Sequence, residues 1–147
     1  MLLKEKGLTL AIAESCTGGL LSKRLTDIPG SSEVYIGGVI AYSEQSKTEL
    51  LGIERDLIRE YKEVSKEVAV AMAEGVRKRL GAAIGIGITG IAGPDSDSSK
   101  REPGTVFIAL ATKDKALCRE PKLYFDRERI RIGATNNALD MIRRELL

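Results

Sequence analysis

The chain has 147 residues, 43% of them hydrophobic, which is close to the modal length of one domain and enough apolar material for one core. Its 23 basic and 21 acidic residues leave a net charge of +2 and are interspersed rather than blocked, so a long nucleic-acid footprint is excluded and a small ligand is expected. No apolar run approaches the roughly 18 to 20 residues that span a bilayer, and the opening Met1-Leu2-Leu3-Lys4-Glu5-Lys6 lacks a signal-peptide pattern, so no membrane contact and a cytoplasmic location are expected.

The first predicted element is a buried strand over residues 8–14, short, apolar and bounded by Gly7 and Ser15. A helix is predicted to begin near Ser15 to Thr17, to carry Leu20, Leu21 and Leu25 inward, and to end before the helix-breaking Pro29-Gly30. Residues 34–42 predict a second strand, in which Gly37-Gly38 marks a close approach or a bulge. Two short helices are predicted around 45–51 and 54–61. A longer helix follows, with Ser65 as N-cap, Val68, Met72, Val76 and Leu80 at i+4 spacing, and Gly81 just past its end.

Residues 83–89, 105–111 and 117–125 predict three further strands. The loop 90–104 between the first two of these, with Gly93-Pro94 and the run Asp95-Ser96-Asp97-Ser98-Ser99, cannot pack as a core element, so it either moves or covers something. Asp126 caps a last helix that turns Ile130, Ala134, Ala138 and Met141 to one face. Strands alternating with helices imply an α/β fold of three α/β/α layers on a mixed, mostly parallel sheet, forming a single domain over 1–147.

Cys16 and Cys118 are the only cysteines and there is no histidine, so neither a His/Cys zinc set nor a disulfide framework is expected. Acid–base chemistry near neutral pH then falls to lysine, tyrosine, cysteine or carboxylates. The junction Glu14-Ser15-Cys16-Thr17-Gly18-Gly19 joins a buried strand to a helix start, where unpaired N–H groups favour a phosphate or a developing oxyanion. Ser15 there is either a nucleophile or a helix cap, and Cys16 either a rival nucleophile or a small buried hydrophobe. Lys47, following Tyr42-Ser43-Glu44, is a base for a hydroxyl if it is kept neutral by desolvation, and otherwise an ordinary solvated charge; Tyr42 is placed to relay or hold the proton.

The run 84–90 matches G-x-G-x-x-G by spacing, but its glycines lie inside a strand rather than at the opening of a helix, so they read as close-packing positions, with Thr89 reaching a ligand at the strand end. Arg127, Arg129 and Arg131 flank the first turn of the last helix, either as phosphate donors or as a solvated face with Glu128.

Together, Ala13-Glu14-Ser15-Cys16-Thr17-Gly18-Gly19, Pro29-Gly30-Ser31-Ser32, Tyr42-Ser43 with Lys47, Val64-Ser65, Thr89-Gly90-Ile91-Ala92-Gly93-Pro94, Gly104-Thr105-Val106, and Arg127-Glu128 with Arg131 resemble the C-terminal domain of competence-damage protein A along nearly the whole chain. That CinA-like family deamidates nicotinamide mononucleotide to nicotinic acid mononucleotide and ammonia. The resemblance implies Ser15 as nucleophile, Lys47 as base with help from Tyr42, and Cys16, Thr17, Gly18, Thr89, Gly90, Arg127 and Arg131 around a small nucleotide substrate. It also implies a homo-oligomer that uses no metal and no cofactor. Glu44 stands where the family usually has asparagine; turned inward it would favour a protonated Lys47, turned outward it would be harmless. The second expectation is a catalytically silent nucleotide-binding or assembly module, and the molybdopterin-binding-like N-terminal domain of larger relatives has no counterpart in these residues.

Overall fold

The computed structural model describes residues 2–147. Five strands, β1 (Leu10–Glu14), β2 (Tyr35–Ile40), β3 (Ile84–Gly90), β4 (Val106–Ala111) and β5 (Ala116–Arg119), form one sheet in the order β2-β1-β3-β4-β5. β1 runs parallel to both β2 and β3, whereas β4 is antiparallel to β3 and to β5, so β4 alone runs against the other strands. The helices are α1 (Leu2–Glu5), α2 (Leu20–Thr26), α3 (Glu44–Leu51), α4 (Arg55–Tyr61), α5 (Lys66–Leu80) and α6 (Arg127–Leu146). Among the described residues none is long and apolar enough to cross a membrane.

The two faces of the sheet are built from different side chains. On one face Leu10, Ile12, Ile84, Ile86, Ile88, Ile108 and Leu110 pack against Leu21 and Leu25 of α2 and Ile130, Ala134, Ala138 and Met141 of α6. On the other, Ala11, Ala13, Ala109 and Ala111 meet Val68, Ala69, Met72, Ala73 and Val76 of α5, with Leu51 and Ile58 of α3 and α4 beside them. Gly85 and Gly87 lie under α5, where a Cβ at Gly87 would strike Ala69 O and come within 2.7 Å of Ala73 N. The glycines of the G-x-G-x-x-G spacing are therefore close-packing positions, as their place inside a strand implies.

Ser65 caps α5 by accepting from Val68 N at 3.2 Å, and Asp126 caps α6 by accepting from Arg129 N at 2.9 Å. Ser43 and Ser46 form a reciprocal capping box on α3. Gly37-Gly38 serves both suggested purposes. The β1–β2 register skips Ile36, a bulge, and a Cβ on Gly38 would lie 2.8 Å from Ile12 O.

Two expected elements change their bounds most, and two more elements appear. The predicted 117–125 strand contracts to β5 plus an isolated bridge between Thr105 and Lys122, because Pro121 brings no N–H to a ladder. Helix α1 and a 3₁₀ turn at Ser31–Glu33 are additional. The helix expected from Ser15 to Thr17 starts at Leu20, behind a turn held by left-handed Gly18 (φ 56°) and Gly19 (φ 99°).

Candidate active site

Ser15 follows β1, Ala41 and Tyr42 follow β2, and Thr89-Gly90 close β3, so the carboxyl ends of the parallel strands converge on one crevice. A cavity of about 530 Å³ opens there. Its floor holds Ser15, Cys16 and Lys47, and its walls are Glu63-Val64, Thr89 and the segment 90–97, with Tyr42 and Arg127 completing the lining. The polar loop thus covers something rather than hanging free.

Lys47 is 1% exposed. It shares the inward stripe of α3 with Leu51, one turn later, while Glu44 at the start of that helix is exposed. Its Nζ stands 3.0 Å from Ser15 Oγ, donates to Ala41 O at 2.9 Å, and lies 3.5 Å from Glu63 Oε1. Burial pushes the amine below its usual value, and the Glu63 carboxylate opposes that shift. Desolvated and within hydrogen-bonding distance of a hydroxyl, this lysine has the setting of a general base.

Cys16 is buried. It joins the aliphatic core, and burial raises its thiol to about 12, so it stays protonated.

The structure brings Ser15 and Lys47 together and leaves Tyr42 apart. Tyr42 is 62% exposed, and its hydroxyl accepts from Arg127 Nη2 at 3.4 Å. Among the described residues it makes no hydrogen bond to Ser15 or Lys47.

Arg127 also donates to Gly93 O at 2.6 Å, which ties the start of α6 to the cavity wall. Arg131 is not at the cavity: its Nε donates to Cys16 O and its Nη2 to Thr17 O, each at 3.0 Å, so it holds the turn from behind. Gly18 lies against that guanidinium. Thr17 is fully buried, and its Oγ1 has no partner among the described residues. Thr17 and Gly18 therefore support the turn rather than line the cavity. Thr89 and Gly90 do line it, but Thr89 Oγ1 already donates to Glu63 O at 2.9 Å.

Two carboxylates at the site carry contacts that were not expected. Glu14, 1% exposed, accepts from Leu21 N at 2.8 Å, Ser22 N at 3.1 Å and Ser22 Oγ at 2.7 Å. It thus occupies the first-turn donors of α2 that were expected to serve a ligand, and the donors left beside Ser15 are those of the turn itself. An acidic residue ending a fully apolar strand was the available signal. Glu63, in the segment before α5, carried no such signal, because only the fold brings it to Lys47.

The model of the CinA C-terminal domain matches residues 1–146. The chain belongs to the CinA C-terminal domain family. A CinA-like protein of Acidobacterium capsulatum is 48% identical over 145 residues, covering 99% of this chain and 35% of that protein. A putative competence-damage inducible protein of Desulforudis audaxviator is 45% identical over 142 residues, covering 97% and 34%. This CinA domain thus spans about a third of the length of the curated relatives it matches. Among solved structures, a CinA superfamily protein of Escherichia coli superposes with a TM-score of 0.93 at 31% identity, covering 95% of this chain and 81% of that one. A competence/damage inducible protein of Agrobacterium tumefaciens gives 0.91 at 34% identity, covering 95% and 86%.

Proposed function

We propose that this CinA domain is an amidohydrolase that converts nicotinamide mononucleotide to nicotinic acid mononucleotide and ammonia. The observation that carries the reading is the buried Lys47 Nζ held 3.0 Å from Ser15 Oγ on the floor of a cavity large enough for a mononucleotide. Ser15 Oγ attacks the carboxamide carbon as its proton passes to Lys47 Nζ. Main-chain N–H groups of the turn beside Ser15 stabilise the oxyanion. Collapse breaks the C–N bond, the Lys47 ammonium returns the proton to the departing nitrogen, and ammonia leaves. Water then adds to the Ser15 ester, Lys47 again taking a proton and returning it to Ser15 Oγ as the acyl–oxygen bond breaks, and the free acid is released.

Arg127 at the mouth suits the phosphate, and Tyr42 offers a flat wall for the pyridine ring. The same reading includes a homo-oligomer in the cytoplasm. Against a silent binding or assembly module, the desolvated amine favours catalysis, since a binding module has no need to bury a lysine against a serine.

The test is ammonia release from nicotinamide mononucleotide by the purified protein. Ser15→Ala is expected to abolish release and Cys16→Ala to retain most of it. If the Cys16 variant is the silent one, the nucleophile is misassigned; if the wild-type protein is thermally stabilised by ligand yet releases no ammonia, the binding-module reading replaces this one.

A further inference from the structure

Glu63 lines the cavity, and the Ser15–Lys47 reaction as written gives its carboxylate no part. Its main chain is anchored, since its carbonyl accepts from Thr89 Oγ1 at 2.9 Å. The preceding residue, Lys62, has φ 72°, a conformation rare outside glycine, which turns the chain sharply out of α4 just before Glu63. Ser65 then caps α5, so the segment is fixed on both sides. From this fixed position Oε1 reaches to 3.5 Å from Lys47 Nζ, an ion pair between a carboxylate 45% exposed and an amine 1% exposed.

We propose that Glu63 is a positioning residue for Lys47: it orients the amine toward Ser15 and stabilises the positive charge that Lys47 acquires as Ser15 attacks. The inference rests on the amidohydrolase reading and assigns that site a third member. A neutral amine has two N–H groups and one lone pair. With one N–H given to Ala41 O and the other directed at Glu63, the lone pair is left facing the Ser15 hydroxyl. During attack the proton moves from Ser15 Oγ to Lys47 Nζ, so a cation appears next to a fixed anion, as an imidazolium does beside the aspartate of a serine triad. Of the other groups near the amine, Glu44 stands on its own helix and is exposed, Cys16 is a thiol held protonated by burial, and Asp95, Asp97, Tyr42 and Arg127 line the cavity farther along. Among the described residues, Glu63 is the one carboxylate in an ion pair with Lys47.

The test compares Glu63→Gln, Glu63→Ala and Glu63→Asp with the wild type in ammonia release from nicotinamide mononucleotide across pH, with the 13Cε resonance of Lys47 titrated in parallel. In Glu63→Gln the amine loses its counter-charge, so both the rising limb of kcat/KM and the resonance midpoint move to lower pH. Because the base is then weaker, the plateau falls by about tenfold, in kcat more than in KM. Glu63→Asp restores part of both effects, and Glu63→Ala restores neither. A Lys47 midpoint unchanged in Glu63→Gln overturns the proposal. Because the resonance needs no substrate, that outcome stays separate from failure of the deamidase reading, which shows instead as a wild-type protein without ammonia release.

Discussion

Replacing Arg131 by methionine separates two roles that the arginines of α6 could have. The guanidinium makes two charge-assisted hydrogen bonds, to Cys16 O and Thr17 O, each 3.0 Å long, across the gap between α6 and the turn that carries Ser15. Methionine keeps most of the aliphatic stem and leaves both carbonyls without those donors. At about 1.5 kcal/mol for each lost charged bond, the destabilisation is about 3 kcal/mol. In a domain of this size that corresponds to a fall in Tm of roughly 6–12 °C. Released from behind, the turn no longer fixes Ser15 against Lys47, so kcat falls while KM changes little, in contrast to the loss of a phosphate contact, which raises KM. Thermal denaturation and steady-state ammonia release on the same preparation read both quantities. A variant with unchanged Tm and a raised KM would refute the assignment and return Arg131 to the substrate phosphate.

Lys47→Met tests the desolvated amine through stability. The folded value of the amine lies below its ordinary 10.5, so the unfolded chain binds the proton more readily. The burial penalty is therefore complete below the folded value and disappears as pH rises to about 10.5, the ordinary value. The Tm difference between Lys47→Met and wild type, in the variant's favour, is expected to shrink as pH rises toward 10; a difference constant up to that pH would show an amine that titrates normally. Gly75→Ala tests the packing that places Lys47. A Cβ there meets Leu51 O and lies 3.3 Å from Leu51 Cβ, so α3 must shift, at a cost of about 1–3 kcal/mol. Activity measured well below Tm should fall with it, and retention of full activity would show that α3 can adjust without moving Lys47.

The i+4 series from Val68 to Leu80 between Ser65 and Gly81 specified α5 by itself, and the aliphatic runs of β1 and β3 were legible because buried parallel strands leave no polar alternation. The start of α2 was not legible. Ser15 to Thr17 has the composition of a helix opening, but the buried Glu14 carboxylate takes the donors of Leu21 and Ser22 and fixes the helix start at Leu20, an outcome set by contacts seven and eight residues away. Ser15 and Lys47 were singled out as a pair by family resemblance, whereas the depth of Lys47 was not visible in Glu44-Gln45-Ser46-Lys47, a segment that reads equally well as a solvated turn of helix. The misplacement of Arg131 has the same origin. Spacing puts Arg127 and Arg131 on one side of α6, but only tertiary structure shows that one turn reaches the cavity wall at Gly93 and the next reaches the back of the turn after Ser15.

The distance between Ser15 and Lys47 is therefore a property of the small residues on one face of the sheet. Ala11, Ala13, Gly85, Gly87, Ala109 and Ala111 leave α5 lying almost on the strand backbones, closer than the aliphatic face opposite allows α2 and α6 to come. Gly75 on the outer side of α5 repeats the device one layer out, because it admits the Leu51 carbonyl at the end of α3. Lys47 lies one turn before Leu51 on the same buried stripe, so two successive close approaches draw its stem inward until the amine meets the carboxyl ends of β1 and β2. A lysine on an exposed two-turn helix would remain solvated and protonated. Here glycine and alanine at sites distant from the cavity let the amine sink out of solvent, and that burial is what depresses it below its ordinary value.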